Sequence, residues 1–230
     1  MEQNKIWEYY QNNDDTDDAF VNARPRYAFI SKQISKSSDV LNIGVGRGGL
    51  ESILVDKDVN IHCLDPSEES INRIRNEFGI GERAKVGFSQ AIPFPDATFD
   101  VVVMSEVLEH LSDEVLESTL REVGRVLKPG GRFIGTVPAN EDLKASEVIC
   151  PQCGLKFHRW GHVHSFSVDS LKELLSSHGF GFERMEVRAF PEWRRRGVKS
   201  FVKNIIKYVL GRFGSPISFP CIFFVVSRKR

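Results

Sequence analysis

Between Asp39 and Val137 the chain alternates short apolar runs with stretches of helical spacing, and this alternation restricts the fold more than any other feature. Asp39–Val45 (DVLNIGV), Val59–Leu64 (VNIHCL), Arg83–Phe88, Phe99–Met104 (FDVVVM) and Arg132–Val137 read as five strands. Gly49–Asp56, Pro66–Phe78 and Asp113–Leu127 read as the helices between them. In the second, Pro66 suits a first turn and Ile71, Ile74 and Phe78 share one face; Pro129-Gly130-Gly131 stops the third. The unbroken apolar run at Phe99–Met104 is what a strand covered on both faces needs. Further strands are expected at Phe182–Phe190 and Phe219–Ser227, with a helix at Val168–Ser177 before Gly179. Strands that alternate with helices pair in parallel through right-handed crossovers. The expected fold is therefore α/β: a doubly wound, seven-stranded, mostly parallel sheet with helices on both faces.

The 230 residues carry 31 Lys+Arg against 31 Asp+Glu, a balance that argues against a protein built around nucleic-acid binding. No apolar run approaches the roughly 18 residues of a membrane span. The first twenty residues hold six acids and one lysine, the opposite of a secretory leader. Four cysteines do not make a disulfide framework. These features predict a cytoplasmic protein. Residues 1–38 read as a helical appendage to a domain at 39–230, which is interrupted by a polar insertion at 139–166 and a basic one at 191–215.

The first strand runs into Gly44-Val45-Gly46-Arg47-Gly48-Gly49, where glycines permit a sharp turn and close approach of a ligand. Gly44, Gly46 and Gly49 satisfy the dinucleotide fingerprint G-x-G-x-x-G. Asp65, 21 residues after Gly44, stands where a carboxylate accepts hydrogen bonds from ribose hydroxyls. The pattern alone indicates an adenosine-containing ligand without choosing one.

The context downstream chooses. Ile92-Pro93-Phe94-Pro95-Asp96-Ala97-Thr98-Phe99-Asp100 is followed by Ser105-Glu106-Val107-Leu108-Glu109-His110-Leu111 and by Leu127-Lys128-Pro129-Gly130-Gly131. With the glycine loop and Asp65, these segments resemble class I S-adenosylmethionine-dependent methyltransferases, in particular the ubiquinone-biosynthesis-like group, over residues 38–137 and more weakly over 162–190. The resemblance implies that Gly44, Gly46 and Gly48 line the methionine end of the cofactor, with Asn42 beside them. Asp65 would hold the ribose, Ser89 and Gln90 would lie against the adenine, and Ser105 and Glu106 would border the sulfonium and the acceptor. Two positions depart from the family pattern: Asn42 and Phe88 stand where acids are usual. For an acceptor hydroxyl, His110 is the leading general base and Glu106 the second; local helix-start contacts are the alternative role for Glu109 and His110.

Residues 149–164 gather three of the six histidines beside a C-x-x-C pair. Cys150, Cys153, His158 and His162 follow C-x₂-C-x₄-H-x₃-H, which supplies four ligands for a structural, tetrahedral zinc in a knuckle-like insertion. His164 is a substitute ligand or a substrate contact. A redox-active dithiol and free thiols beside a substrate pocket are the competing readings.

Residues 191–230 hold ten basic residues against Glu192. Val198, Phe201, Val202, Ile205, Val209 and Phe213 fall at helical spacing, with Lys199, Lys203 and Lys207 as a stripe. A helix of this kind, within 194–213, rests peripherally on an anionic inner-membrane surface or docks on the sheet. The reading that follows is a methyltransferase acting on a hydroxyl or carboxylate of a small molecule, a sugar or a lipid-linked glycan. The alternatives are an NAD-dependent oxidoreductase and a non-catalytic zinc-knuckle interaction module on a degenerate methyltransferase frame.

Overall fold

The computed structural model describes residues 4–12, 23–191, 198–212 and 218–229. In chain order the elements are α1 (Asn4–Asn12), α2 (Ala23–Ser31), β1 (Asp39–Ile43), α3 (Glu51–Leu54), β2 (Asn60–Asp65), α4 (Glu68–Phe78), β3 (Ala84–Val86) and β4 (Phe99–Ser105). There follow α5 (Asp113–Val126), β5 (Leu127–Pro138), β6 (Glu147–Ile149), β7 (Lys156–His158), α6 (Val168–Ser177), β8 (Phe180–Arg188), α7 (Val198–Arg212) and β9 (Cys221–Arg228). Arg194–Arg196 and Phe213 lie outside the described residues, as do the side chains of Val198, Lys199 and Phe201.

Seven strands form one sheet in the order β3-β2-β1-β4-β5-β9-β8. The first five are parallel, whereas β9 runs antiparallel between β5 and β8. The expected fold class is the observed one. The sheet buries both faces, and the two-residue pleat divides β4 between them. Val102 and Met104 join Leu120, Val123, Phe133, Leu171 and Phe224 under α5 and α6. Val101 and Val103 join Ile30, Leu54, Ile71, Ile74 and Phe223 under α2, α3 and α4.

Local chemistry sets the element ends. Ser67 caps α4 by accepting from Ser70 N at 3.2 Å, and the helix stops at Gly79 with φ +64°. Ser167 and Ser170 form a reciprocal capping box at the start of α6. The fifth strand is longer than its expected span, beginning at Leu127 instead of Arg132. Leu127 already pairs with Phe99, and the register shifts before Val101 meets Arg132, so the Pro-Gly-Gly turn bulges inside the strand.

The strand order reverses between β1 and β4, which opens a crevice at their carboxyl ends, the customary ligand position in open parallel sheets. The insertion after β5 rises at that edge. A bridge between Ala139 and Phe166 closes its base, and β6 and β7 form a separate hairpin within it. Both N-terminal helices meet the same edge: the Tyr27 ring lies against Gly49, and Trp7 lies against His110.

Candidate active site

Three residues of the loop after β1, Gly44, Gly46 and Gly48, have left-handed φ of +83°, +53° and +79°. A Cβ on Gly44 would sit 2.7 Å from Val107 Cγ2, and one on Gly48 would sit 2.8 Å from Ile74 Cδ1, so neither position accepts a side chain. At the end of β2, Asp65 is almost wholly buried and anchors the loop. Its Oδ2 accepts from Val45 N and its Oδ1 from Ser67 N, both at 2.9 Å. Burial pushes its carboxyl up to about 6, with the two amide donors opposing.

Asn42 donates from Nδ2 to Glu51 Oε1 at 2.6 Å. Glu51 is wholly buried, its Oε2 has no hydrogen-bond partner, and burial raises its carboxyl above the ordinary range. The charge missing at Asn42 thus stands one hydrogen bond away on α3. Sequence reasoning missed Glu51; its signal was a lone acid in the apolar run Gly49-Leu50-Glu51-Ser52-Ile53-Leu54.

Beyond β3, Phe88 and Gln90 are exposed at the crevice edge, together with Val86. Ser89 is turned inward, its hydroxyl 2.7 Å from Thr119 Oγ1 on α5. Its side chain is therefore committed to packing, and only Phe88 and Gln90 of this trio present side chains to solvent.

The end of β4 is the most heavily charged part of the crevice. Ser105 Oγ lies 2.9 Å from Thr136 Oγ1 and accepts from Arg26 Nε at 3.0 Å. Glu106 takes the left-handed φ of +58°, rare for a side-chain-bearing residue, and its amide donates to Thr136 O at 2.8 Å. Arg26 Nη1 stands 3.8 Å from Glu106 Oε2, while Glu106 Oε1 is buried without a hydrogen-bond partner. Glu109 is wholly buried with neither oxygen hydrogen-bonded, and burial followed by the nearby Glu106 charge pushes its carboxyl well up. His110 faces Trp7 edge-on at 4.5 Å, and burial, then the neighbouring His162, pushes its imidazole well below the usual value.

The four residues expected to bind zinc together are not brought together. Cys150 and Cys153 occupy the tip of the β6–β7 hairpin, where Cys150 O accepts from Gly154 N and Cys150 N donates to Leu155 O. Backbone N–H groups of Cys153 and Gln152 hold the Cys150 thiol below its usual value. His158 pairs with Glu147 at the far end of the same hairpin, three strand residues from the tip, or about 10 Å at roughly 3.3 Å per residue. There His158 stacks on His162 at 4.5 Å, and both rings meet the Glu141 carboxylate. A four-ligand knuckle is therefore corrected to two separate groups: a dithiol tip, and a histidine–glutamate cluster at the base. Chain spacing could not separate them, because a C-x₂-C-x₄-H run is equally compatible with a closed knuckle and with an extended hairpin.

The cluster at the base joins the end of β4. Val163 N and His164 N both donate to Glu109 O, at 2.8 and 3.1 Å, and His110 lies 4.6 Å ring to ring from His162. His164 itself turns to Asp113, 3.4 Å away. The expected site residues Ser105, Glu106 and His110 thus share one pocket with His162, and the insertion forms its wall. Arg26, Trp7, Glu109 and Glu141 complete that pocket.

A family model described as a methyltransferase domain matches residues 17–184. The chain belongs to this family, the S-adenosylmethionine-dependent methyltransferases of class I. Among curated methyltransferases, it is 33% identical over 148 residues to the sarcosine/dimethylglycine N-methyltransferase of Halorhodospira halochloris, covering 60% of this chain and 52% of that protein. The chain thus spans about half the length of that relative. An uncharacterized methyltransferase of Geobacillus is 25% identical over 70% of this chain and 78% of its own. In structure, the chain superimposes on the 1,6-didemethyltoxoflavin-N1-methyltransferase of Burkholderia thailandensis, solved with S-adenosylhomocysteine. The TM-score is 0.69 at 16% identity, over 99% of this chain and 87% of the other. It also matches a putative methyltransferase of Haloferax volcanii with TM-score 0.68 at 19% identity, over 98% of both chains. No helix among the described residues is long and apolar enough to cross a membrane.

The residues of the first half of the crevice fit the cofactor this family uses. The left-handed glycines present bare backbone at three positions of the loop, Asp65 offers a buried carboxylate, and Glu51 Oε2 is an orphaned buried acceptor behind Asn42. Nothing in these groups selects a nicotinamide.

Proposed function

We propose that the protein methylates an oxygen nucleophile, a hydroxyl of a small molecule, a sugar or a lipid-linked glycan. The supporting observation is the charge of the pocket beyond β4. Glu106 Oε1 and both oxygens of Glu109 are buried there without hydrogen-bond partners, with the Arg26 guanidinium beside Glu106. The unpartnered oxygens of Glu106 and Glu109 can accept from a donating hydroxyl, which an ionised carboxylate acceptor cannot supply. That narrows the hydroxyl-or-carboxylate expectation to its first half.

When bound, the cofactor supplies an electrophilic methyl group on a sulfonium. The protein's own part is alignment and proton handling. Gly44, Gly46 and Gly48 would take the methionine end, Glu51 through Asn42 would offset its ammonium, and Asp65 would accept the ribose hydroxyls. Arg26 donates to Ser105 and lies beside Oε2 of Glu106, and we assign the unpartnered Oε1 of Glu106 the acceptor's proton. A carboxylate so placed takes the hydroxyl proton as the oxygen attacks, an effect worth roughly 10²–10⁴ in rate. Holding donor and acceptor in line supplies the remainder.

Calorimetric titration with S-adenosylhomocysteine, with NAD as the control, tests the cofactor; binding that Asp65→Ala abolishes is expected. A screen of hydroxyl, carboxylate and amine acceptors with labelled S-adenosylmethionine then tests the acceptor class. Label entering only amines would replace this reading with an N-methyltransferase like the sarcosine relative.

The second part of the proposal concerns α7. Val202, Ile205, Ile206, Val209 and Leu210 fall at i, i+3, i+4, i+7 and i+8 and are all exposed, beside the exposed Lys203. Asn204 and Gly211 are the buried positions among the described side chains of the helix. An apolar stripe turned outward and flanked by lysine suits the surface of an anionic bilayer. Sedimentation with phosphatidylglycerol vesicles but not with phosphatidylcholine vesicles is expected, with loss on Ile206→Asp plus Val209→Asp. Equal binding to both, or to neither, would remove membrane contact from the reading.

A further inference from the structure

The geometry points to a divalent-cation site formed by Glu109, His110 and His162, in which the ion would hold the acceptor hydroxyl; this use rests on the methyltransferase reading, but the site does not. The three residues each offer a ligand atom, and these atoms lie within 4.8 Å of one another. Two donors about 2.1 Å from a common ion stand roughly 3.0–4.2 Å apart. His110 Nε2 and Glu109 Oε1 are 3.8 Å apart, too far for a hydrogen bond and within that range. Neither atom has another hydrogen-bond partner, and Glu109 is completely buried. Burying a carboxylate with both oxygens unpaired is costly unless something binds it.

The surrounding hydrogen bonds orient both rings. His110 Nδ1 lies 3.3 Å from Gly161 O, which fixes the proton on Nδ1 and leaves the Nε2 lone pair free. His162 Nδ1 meets Glu141 Oε2 in the same manner and likewise leaves Nε2. A carboxylate that holds the far nitrogen of a ligating histidine is the usual support of a metal site. His158 is excluded as a ligand. Its Nδ1 accepts from Trp160 N at 3.3 Å and His162 N at 3.1 Å, so its proton is on Nε2, 3.4 Å from Glu141 Oε1. His158 and Glu141 are thus positioning residues behind His162.

Two imidazoles and one carboxylate with open positions suit a borderline ion such as Mn²⁺, Fe²⁺ or Zn²⁺, and do not suit Ca²⁺. The site lies next to Glu106 at the end of β4, at the mouth of the cofactor crevice. A cation there would take a hydroxyl oxygen as a further ligand and make that group more acidic, easing loss of its proton. Acceptors with adjacent oxygens, which chelate, are the class such a site selects.

Chelator-treated full-length protein titrated with Mn²⁺ alone, followed by loss of the free-ion electron paramagnetic resonance signal, tests the site without cofactor or acceptor. One ion per chain is expected. Glu109→Gln, which keeps the side-chain shape, should weaken binding at least 100-fold, and Glu141→Gln by 10–100-fold. Cys150→Ser with Cys153→Ser should leave it unchanged. S-adenosylhomocysteine binding by each variant shows that it is folded. If Glu109→Gln does not bind that ligand, His162→Gln takes its place under the same criterion. No Mn²⁺ binding by the native protein, unaltered binding in the variant that is folded, or loss in the cysteine double variant would overturn the site. Failure to bind S-adenosylhomocysteine with Mn²⁺ binding intact would sink the cofactor reading alone.

Discussion

Asp65 couples the cofactor crevice to pH. Its carboxyl titrates near 6 in the fold, against 3.8 for the ordinary group, chiefly because it is buried. A carboxyl raised on folding prefers the protonated form, so its contribution falls as pH climbs from the unfolded value through the folded one. For this group the loss is about 2.5 kcal/mol between pH 4 and pH 8, and nearly complete above pH 7. Asp65→Asn removes the titration. It also gives up one of the two amide bonds from Val45 and Ser67, an offset of about 1 kcal/mol that does not vary with pH. Urea unfolding of both proteins across that range should therefore show wild type losing about 2.5 kcal/mol relative to the variant, because groups that do not feel the Asp65 charge cancel in the difference. The cofactor reverses the sign. Ribose hydroxyls donate to the ionised carboxylate, so affinity for S-adenosylhomocysteine should be flat above pH 6 and fall about tenfold per unit below it. A stability difference that stays level with pH, or that rises with it, would refute the assignment of a buried, uncompensated carboxyl.

Other substitutions test the rest of the crevice. Glu106→Gln should lower methyl transfer roughly 10²–10⁴-fold with S-adenosylhomocysteine affinity within a few-fold of wild type, measured by turnover and calorimetry. Gly44→Ala forces a side chain into a left-handed position 2.7 Å from Val107; thermal unfolding should show a cost of about 1–3 kcal/mol, and cofactor binding should be lost. Trp7→Ala removes the ring that covers His110 and should raise the acceptor KM without moving the S-adenosylhomocysteine Kd. Phe224→Ala, in the core on β9 opposite Gly135, should cost about 3–5 kcal/mol in urea unfolding.

Much of this architecture was legible in the chain because its determinants are local. The near-continuous burial of Phe99–Ser105 on both faces of the sheet and the period-3.6 burial in Glu68–Phe78 follow from backbone geometry over a few residues, and both elements emerged at nearly the expected bounds. The glycine loop was legible for the same reason: left-handed φ is a single-residue property. Of the site, Asp65, Ser105 and Glu106 stand at the strand ends where alternation placed them, and His110 in the short turn after β4. The inward turn of Ser89 was not legible, because the direction of its side chain depends on Thr119, thirty residues away.

What only tertiary structure decided is which distant residues meet. The order of the last two strands depends on β9 pairing on both sides, a long-range choice that leaves no periodic mark. The Cys/His run shows the same limit: spacing reports how far apart ligands are along the chain, whereas the hairpin sets its cysteines at one end and His158 at the other. His110 and Gly161, 51 residues apart, are joined by a hydrogen bond, and Arg26 reaches Ser105 across 79 residues. Strand and helix arise from short-range sterics written in neighbouring residues, but a buried charged pocket arises from packing. Its members need share no proximity in sequence, only a common edge of one sheet.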